Sequence, residues 1–590
     1  MHTAPPPIAM DATDVDSLRP LVHLFLERVR SQAESIAFDV YPPGAGAATS
    51  TITWRAWGDE ARAVAAALLT SGVAPGDRVA VLARNRPLWP VADMAIQRIG
   101  AIGVGIYPTS APVQVESLLR DSGARVVLVD SLAHAAVVQS TFTRTGNAGL
   151  VVCDIADADW TASMHGHSAS PRLAHYDAWR AEGAARLASD ADLQWQLEQR
   201  TKSITIDALA ALIYTSGSTG EPKGACISHR YLAASAASIA SALSLTAADR
   251  TLSFLPFSHA AERVFGQSTR ILLGMRSALI EDPADVFRVA SVFQPTFLGG
   301  LPRLFERLYE AADVARRDGR DPHDAITERI GTHCRMATSG GAALPRRVAE
   351  ELNSLGLPIL GAYGQTEHLC VAMNRPAQLR FDTVGTPMSG TVVRLAHDGE
   401  LLVQRSALTF DGYWQQPEAT RVAFTADGVW LRTGDRADVE ASGALRITGR
   451  VKELIALSNG RKIAPIPIEA ALAASPFIAH GVLFGEGRKY LVALLSLRRD
   501  VVEAWARQEQ IDATWPALAH DALLRGRLQD AMDTVNSTLA RTDRVQAFAV
   551  TADEFSQESG ELTPTLKLLR IAITTRFADT FDRLYTGSSV

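Results

Sequence analysis

Between residues 57 and 129, apolar runs of strand length alternate with stretches of helix length. Residues 78–83, 103–107 and 125–129 read as buried strands; residues 57–72, 88–100 and 113–122 read as helices. Strands separated by helices imply βαβ units, hence an α/β fold around a mostly parallel sheet. The same alternation resumes from about 229 to 391, after a strand at 209–214. At 590 residues the chain exceeds what one hydrophobic core holds, so several domains are expected.

Other segments depart from this rhythm. Residues 1–16, rich in Pro, Ala and Asp, read as a disordered tail without the charged and apolar regions of a secretory signal. Residues 18–35 carry apolar positions at helical spacing. Residues 154–205 show weak periodicity and read as a surface excursion, with His165, His167 and His175 on a solvated loop. Residues 399–439 read as short strands with turns, a small β unit. Gly449-Arg450-Val451-Lys452 breaks the pattern. The expected organisation is a large N-terminal domain over 17–448, a hinge at 449–452, and a smaller, mobile α+β domain over 453–590. A long helix is expected within it at 518–542.

Composition excludes some functions. The net charge of −6 is small for this size and argues against a nucleic-acid binder relying on a basic surface. Cys153, Cys226, Cys334 and Cys370 form no CxxC pair, which leaves a zinc or redox centre without support and fits a cytoplasmic enzyme with reduced thiols. No stretch reaches the roughly 18 uninterrupted apolar residues of a membrane span. Any membrane association would be peripheral, and the oligomeric state is not legible.

Tyr214-Thr-Ser-Gly-Ser-Thr-Gly-Glu-Pro-Lys-Gly224 is the most informative segment. It follows a buried strand and concentrates hydroxyls (Thr215, Ser216, Ser218, Thr219), glycines (Gly217, Gly220, Gly224) and Lys223. Glycines let backbone N–H groups approach a phosphate; hydroxyls add donors and lysine adds charge. A Walker A loop needs G-x-x-x-x-G-K-[ST]. Here Pro222 stands five residues after Gly217, and Lys223 is followed by Gly224.

Three further motifs follow in order: Tyr363-Gly364-Gln365-Thr366-Glu367, Thr433-Gly-Asp435, and Gly449-Arg450-Val-Lys452-Glu453. Together with the loop they resemble the acyl-adenylate-forming superfamily over roughly residues 20 to 580. The segments from Phe254 to Arg263, Leu301 to Glu306, Lys462 to Pro465 and Glu561 to Lys567 are similar to long-chain fatty acyl-CoA synthetases.

That resemblance implies a reaction. A medium- to long-chain fatty acid and ATP would give acyl-AMP and pyrophosphate, and CoA would then take the acyl group. It assigns the loop residues 215–220 and Lys223 to the phosphates, Gly340-Gly341-Ala342-Ala343 to the adenine wall, and Tyr363 to stacking on the base. Thr366 falls to the α-phosphate, Glu367 and Thr219 to Mg²⁺, and Asp435 and Arg450 to the ribose. Lys567 becomes the mobile cation of adenylation and Lys452 the hinge. Ser458-Asn459-Gly460 would line the pantetheine path. His259 would gate the acyl tunnel or steer the thiol, or else be a structural histidine; Arg303 and Glu306 are equally readable as scaffold. Two alternatives stay open: a ligase loading an acyl-carrier protein, and an inactive homologue that binds lipid or nucleotide. A luciferase-type oxidation fits the finer motifs less well.

Overall fold

The computed structural model describes residues 8–9, 18–164, 173–215, 222–563 and 567–586. An eight-stranded sheet takes most of its strands from residues 78–228. Its parallel strands run in the order Leu209–Thr215, Ile102–Ile106, Arg78–Leu82, Val126–Val129, Leu150–Cys153, Leu173–His175. Strand Lys223–Ser228 then turns back antiparallel on Leu209–Thr215, and Gly412–Tyr413 pairs antiparallel with it at the edge. The central strands are buried on both faces, which is why they read as continuous apolar runs.

A second pair of sheets continues the N-terminal part. Strands Arg250–Ser253, Arg276–Ile280, Ile36–Tyr41 and Ser50–Thr53 form one; Phe297–Gly300, Met336–Ser339, Ile359–Gln365, His368–Met373 and Thr386–Pro387 form the other. They meet where Thr296 N–H donates to the Arg250 carbonyl at 3.0 Å. The small β unit is a five-stranded sheet built on Val392–Leu395, Glu400–Gln404, Trp430–Val439 and Leu445–Arg450. The last part of the chain has its own core around Ile478–Phe484, Leu491–Leu497 and Val545–Thr551, flanked by helices.

Several expectations need correction. Ile8–Ala9, inside the segment read as a disordered tail, pairs antiparallel with Val392 and Val393. The excursion at 154–205 holds the edge strand Leu173–His175 and helices Tyr176–Ser189 and Ala191–Ser203. Its periodicity is weak because small residues make the contact: a Cβ on Gly183 would lie 2.5 Å from the Ala67 amide nitrogen of helix Trp54–Thr70. His175 is buried rather than solvated, with Nε2 at 2.8 Å from the Ile155 carbonyl. His165 and His167 lie outside the described residues. The long helix runs Ala522–Ser537, starting where the Asp521 carboxylate accepts from the amides of Leu523 and Leu524. Among the described residues no helix is long and apolar enough to cross a membrane.

Candidate active site

The site forms where the ends of three sheets converge. Strand Ile359–Gln365 turns at Thr366-Glu367 into strand His368–Met373, with Gln365 paired to His368. Gly364 permits this tight hairpin: a Cβ there would stand 1.7 Å from the Leu369 carbonyl oxygen. The buried Tyr231 holds the turn from below, its hydroxyl donating to the Thr366 carbonyl and accepting from Leu369 N–H, each at 2.9 Å. Phe410 N–H donates to the Glu367 carbonyl at 2.9 Å. His368, behind Glu367, is buried against Thr391 and Thr409, and burial lowers its pKa to about 3, so it stays neutral.

Asp435 and Arg450 face each other on the paired strands Trp430–Val439 and Leu445–Arg450, with Nε 3.1 Å from Oδ1. The Tyr363 hydroxyl donates to Asp435 Oδ2 at 2.6 Å. Burial and the Asp435 carboxylate raise the Tyr363 pKa well above its ordinary value, so the phenol keeps its proton. Gly340-Gly341-Ala342-Ala343 follows the neighbouring strand Met336–Ser339, whose Ser339 is registered against Gly361 two residues before Tyr363. Asp435, Tyr363 and the Gly340 segment thus line one wall.

The buried Glu367 carboxylate accepts from the Tyr413 hydroxyl at 2.5 Å. Among the described residues it makes no ion pair. A buried carboxylate whose protein partner is one neutral donor has charge left for a hard divalent cation, which prefers oxygen and is commonly held by one or two carboxylates plus substrate phosphates. The residue set therefore fits Mg²⁺. Lys223 Nζ stands 5.2 Å from the centre of the Tyr413 ring. Thr215 Oγ1 donates to the Lys223 carbonyl at 3.5 Å across the neck of the phosphate loop. Ser216, Gly217, Ser218, Thr219 and Gly220 lie outside the described residues.

Lys567 reaches this cluster from the last domain. Its carbonyl accepts from Thr563 N–H at 2.8 Å and its amide donates to Thr563 Oγ1 at 3.0 Å. The residue is exposed, yet enough protein surrounds the ammonium that burial lowers its pKa below the usual lysine value. Arg450 lowers it further, while Asp435, Glu367 and Glu453 oppose the shift.

His259 has a pKa of about 4, lowered by burial and then by Lys567. Ala261 N–H donates to its Nδ1 at 2.9 Å, which places the proton of the neutral ring on Nε2. That ring can donate from Nε2 but cannot accept a proton there. His259 precedes a π-helix, Ala261–Ser268, which begins the buried pairs Arg263–Asp93 and Arg270–Glu262.

The remaining candidates lie apart. Among the described residues, no hydrogen bond or ion pair links Ser458-Asn459-Gly460 to this cluster. They form the exposed turn between strands Ile455–Ala456 and Lys462–Ile463, closed by Gly460 N–H donating to the Leu457 carbonyl at 2.8 Å. Lys452 lies in a short 3₁₀ turn, Val451–Glu453, directly after Arg450. Arg303 pairs with Glu310 at 2.7 Å and Glu306 at 3.3 Å, and Arg498 of the last domain comes within 3.9 Å of Glu306. Sequence reasoning missed Tyr231 and Tyr413. Both lie far in sequence from Glu367, and no local motif marks either.

Residues 25–414 match the model of the AMP-binding enzyme family, and residues 452–589 match that of the AMP-binding enzyme C-terminal domain. The long-chain-fatty-acid–CoA ligase FadD15 of Mycobacterium bovis is 31% identical over 574 residues, covering 89% of this chain and 91% of that protein. The Drosophila melanogaster long-chain-fatty-acid–CoA ligase heimdall is 26% identical, with 92% and 91% covered. The fold is shared with the anthranilate CoA ligase AuaEII in complex with anthranoyl-AMP, at a TM-score of 0.74, 20% identity, and coverage of 97% of this chain and 100% of that one. It is also shared with the adenylation domain of a carboxylate reductase from Mycobacterium chelonae, at a TM-score of 0.74, 22% identity, and coverage of 97% and 92%. The chain belongs to the AMP-binding enzyme family.

Proposed function

We propose that this protein is an AMP-forming fatty acid–CoA ligase acting on medium- to long-chain acids. The observation that carries the reading is the position of Lys567, from the last part of the chain, within electrostatic range of the carboxylates Asp435 and Glu367 and of the Arg450 guanidinium, where Asp435 and Arg450 are themselves paired at 3.1 Å. Relatives named as long-chain-fatty-acid–CoA ligases support the substrate class.

A fatty acid, with a carboxyl pKa near ~4–5, is ionised at neutral pH and needs no general base. One carboxylate oxygen attacks the α-phosphorus of ATP, the bond to the bridging oxygen breaks, and pyrophosphate leaves. The obstacle is an anion approaching a polyanion, so positioned positive charge supplies the catalysis. Lys567 is placed for the developing charge, and Lys223 for the phosphates. Asp435, with Tyr363 and Arg450 already on its oxygens, orients the ribose hydroxyls. Glu367 and Thr219 would hold Mg²⁺, which supplies neutralisation of phosphate charge when bound. In the second step the CoA thiolate attacks the acyl carbonyl and AMP leaves. His259, with its proton on Nε2, can orient the acyl carbonyl or the thiol but takes no proton.

Lys567 must withdraw for that second step. We place the hinge at Lys452, between Arg450 and the last core, with Ser458-Asn459-Gly460 brought to the thiol path by the rotation. Hinges are short segments that absorb a backbone change, and proline fixes φ. Lys452→Pro is therefore expected to leave ATP–pyrophosphate exchange measurable and to suppress thioester formation. Equal survival of both steps would move the hinge elsewhere.

The function itself is tested by incubating the protein with palmitate, ATP and CoA. AMP and palmitoyl-CoA are expected in equal amounts. Pyrophosphate and acyl-AMP with CoA present, and AMP with thioester only once a carrier protein is added, would replace CoA as the acceptor. A panel of acids from acetate to oleate reads the chain-length range.

A further inference from the structure

Three contacts meet on Tyr413. Its hydroxyl donates to Glu367 Oε1 at 2.5 Å. Its ring lies 5.2 Å from Lys223 Nζ, within range of a cation–π contact. Its backbone is registered against Ala225, two residues beyond Lys223 on the strand that leaves the phosphate loop. The residues on either side reinforce the placement. Trp414 N–H donates to the Gly224 carbonyl at 2.7 Å. Phe410 N–H donates to the Glu367 carbonyl, and the Phe410 ring meets the Tyr413 ring edge-on at 4.9 Å. Tyr413 N–H is itself held by Thr420 Oγ1 at 2.8 Å. One short segment thus fixes both the carboxylate on one side of the cleft and the lysine on the other.

We propose that Tyr413 is a positioning residue of the adenylation site, holding Glu367 in the orientation that receives Mg²⁺ while its ring keeps Lys223 facing the phosphates. The inference rests on the reading that Glu367 holds the metal. Physically, the hydroxyl occupies one lone pair of Oε1 and fixes the carboxylate plane. The other oxygen, Oε2, makes no hydrogen bond or ion pair among the described residues and is left for the metal. A neutral donor orients the carboxylate without cancelling its charge, as an arginine in the same place would. Groups that orient a metal ligand from behind typically contribute 10–100-fold to metal affinity.

The test compares wild type, Tyr413→Phe and Glu367→Gln. Two quantities are measured: the Mg²⁺ concentration for half-maximal ATP–pyrophosphate exchange, and the Mg²⁺ dependence of ATP binding by calorimetry in the absence of fatty acid. Phe keeps the ring over Lys223 and removes only the hydroxyl. The expected result for Tyr413→Phe is a rise of about tenfold in the Mg²⁺ midpoint in both assays. The shift in midpoint should exceed the change in its exchange rate at saturating Mg²⁺. The midpoint is set by folded protein alone, so partial unfolding does not mask it. A wild-type midpoint in Tyr413→Phe, with the Mg²⁺ dependence lost in Glu367→Gln, overturns the role of Tyr413 and leaves the metal site standing. A wild-type midpoint in Glu367→Gln removes the metal reading and this inference with it.

Discussion

Lys567→Ala is expected to lower the rate of acyl-adenylate formation by about 10²–10³-fold, the usual cost of removing one preorganised charge-stabilising donor. Thioester formation from supplied acyl-AMP should continue near the wild-type rate, because the proposed mechanism withdraws Lys567 in that step. ATP–pyrophosphate exchange and a direct thioester assay read the two halves separately. The same side chain sets a pH dependence. Burial and Arg450 hold its pKa below the ordinary lysine value. In the proposed mechanism the protonated form acts, so adenylation should fall as pH rises through that lowered pKa, at a lower pH than a solvated lysine would give. Lys567→Ala should lose this alkaline limb along with the rate. Unchanged adenylation in the variant would remove Lys567 from the first step.

The second large effect is on stability. Asp93, Arg263 and Gln267 are almost wholly inaccessible. Asp93 Oδ1 pairs with Arg263 Nη2, Oδ2 accepts from Gln267 Nε2 at 2.6 Å, and Arg263 Nη1 donates to the Gly103 carbonyl at 3.1 Å. The network joins helix Leu88–Arg98, strand Ile102–Ile106 and the π-helix that follows His259. Asp93→Ala would strand a guanidinium in the core, and breaking such a pair costs about 3–5 kcal/mol. The double change Asp93→Leu/Arg263→Met removes both charges together. It should recover most of that loss, since well-packed apolar groups often replace a buried pair at little cost. Urea unfolding of the three proteins checks this. Equal destabilisation of the single and double variants would show that packing rather than charge is what Asp93 supplies.

The network also shows why some of the site was illegible in the sequence. Glu262 and Arg263 stand in a segment that reads as a family motif, yet their work is inside the core. Asp93 is a single acidic residue in an apolar helix, and its partner is 170 positions away. Tyr231 and Tyr413 likewise act on the Thr366-Glu367 turn across 135 and 46 positions. Sequence spacing carries information about what one helix or strand presents on a face. It carries none about which distant strand will lie beside it. The error at 154–205 had another source. Periodicity reads large apolar side chains, and the helix around Gly183 packs through the absence of one.

The chain's order alone determined the α/β class and the four motifs that mark the family. Alternating strand and helix lengths leave few ways to bury their faces, and closely spaced glycines, hydroxyls and charges act as local units. Tertiary structure decided the rest: that Asp435 and Tyr363 share one hydrogen bond, that Tyr413 links Glu367 to Lys223, and that Lys567 lies within electrostatic range of Arg450, Asp435 and Glu367. Those pairings depend on sheet register and on how two separate cores dock, and both are set by burial summed over the whole molecule rather than by any one segment.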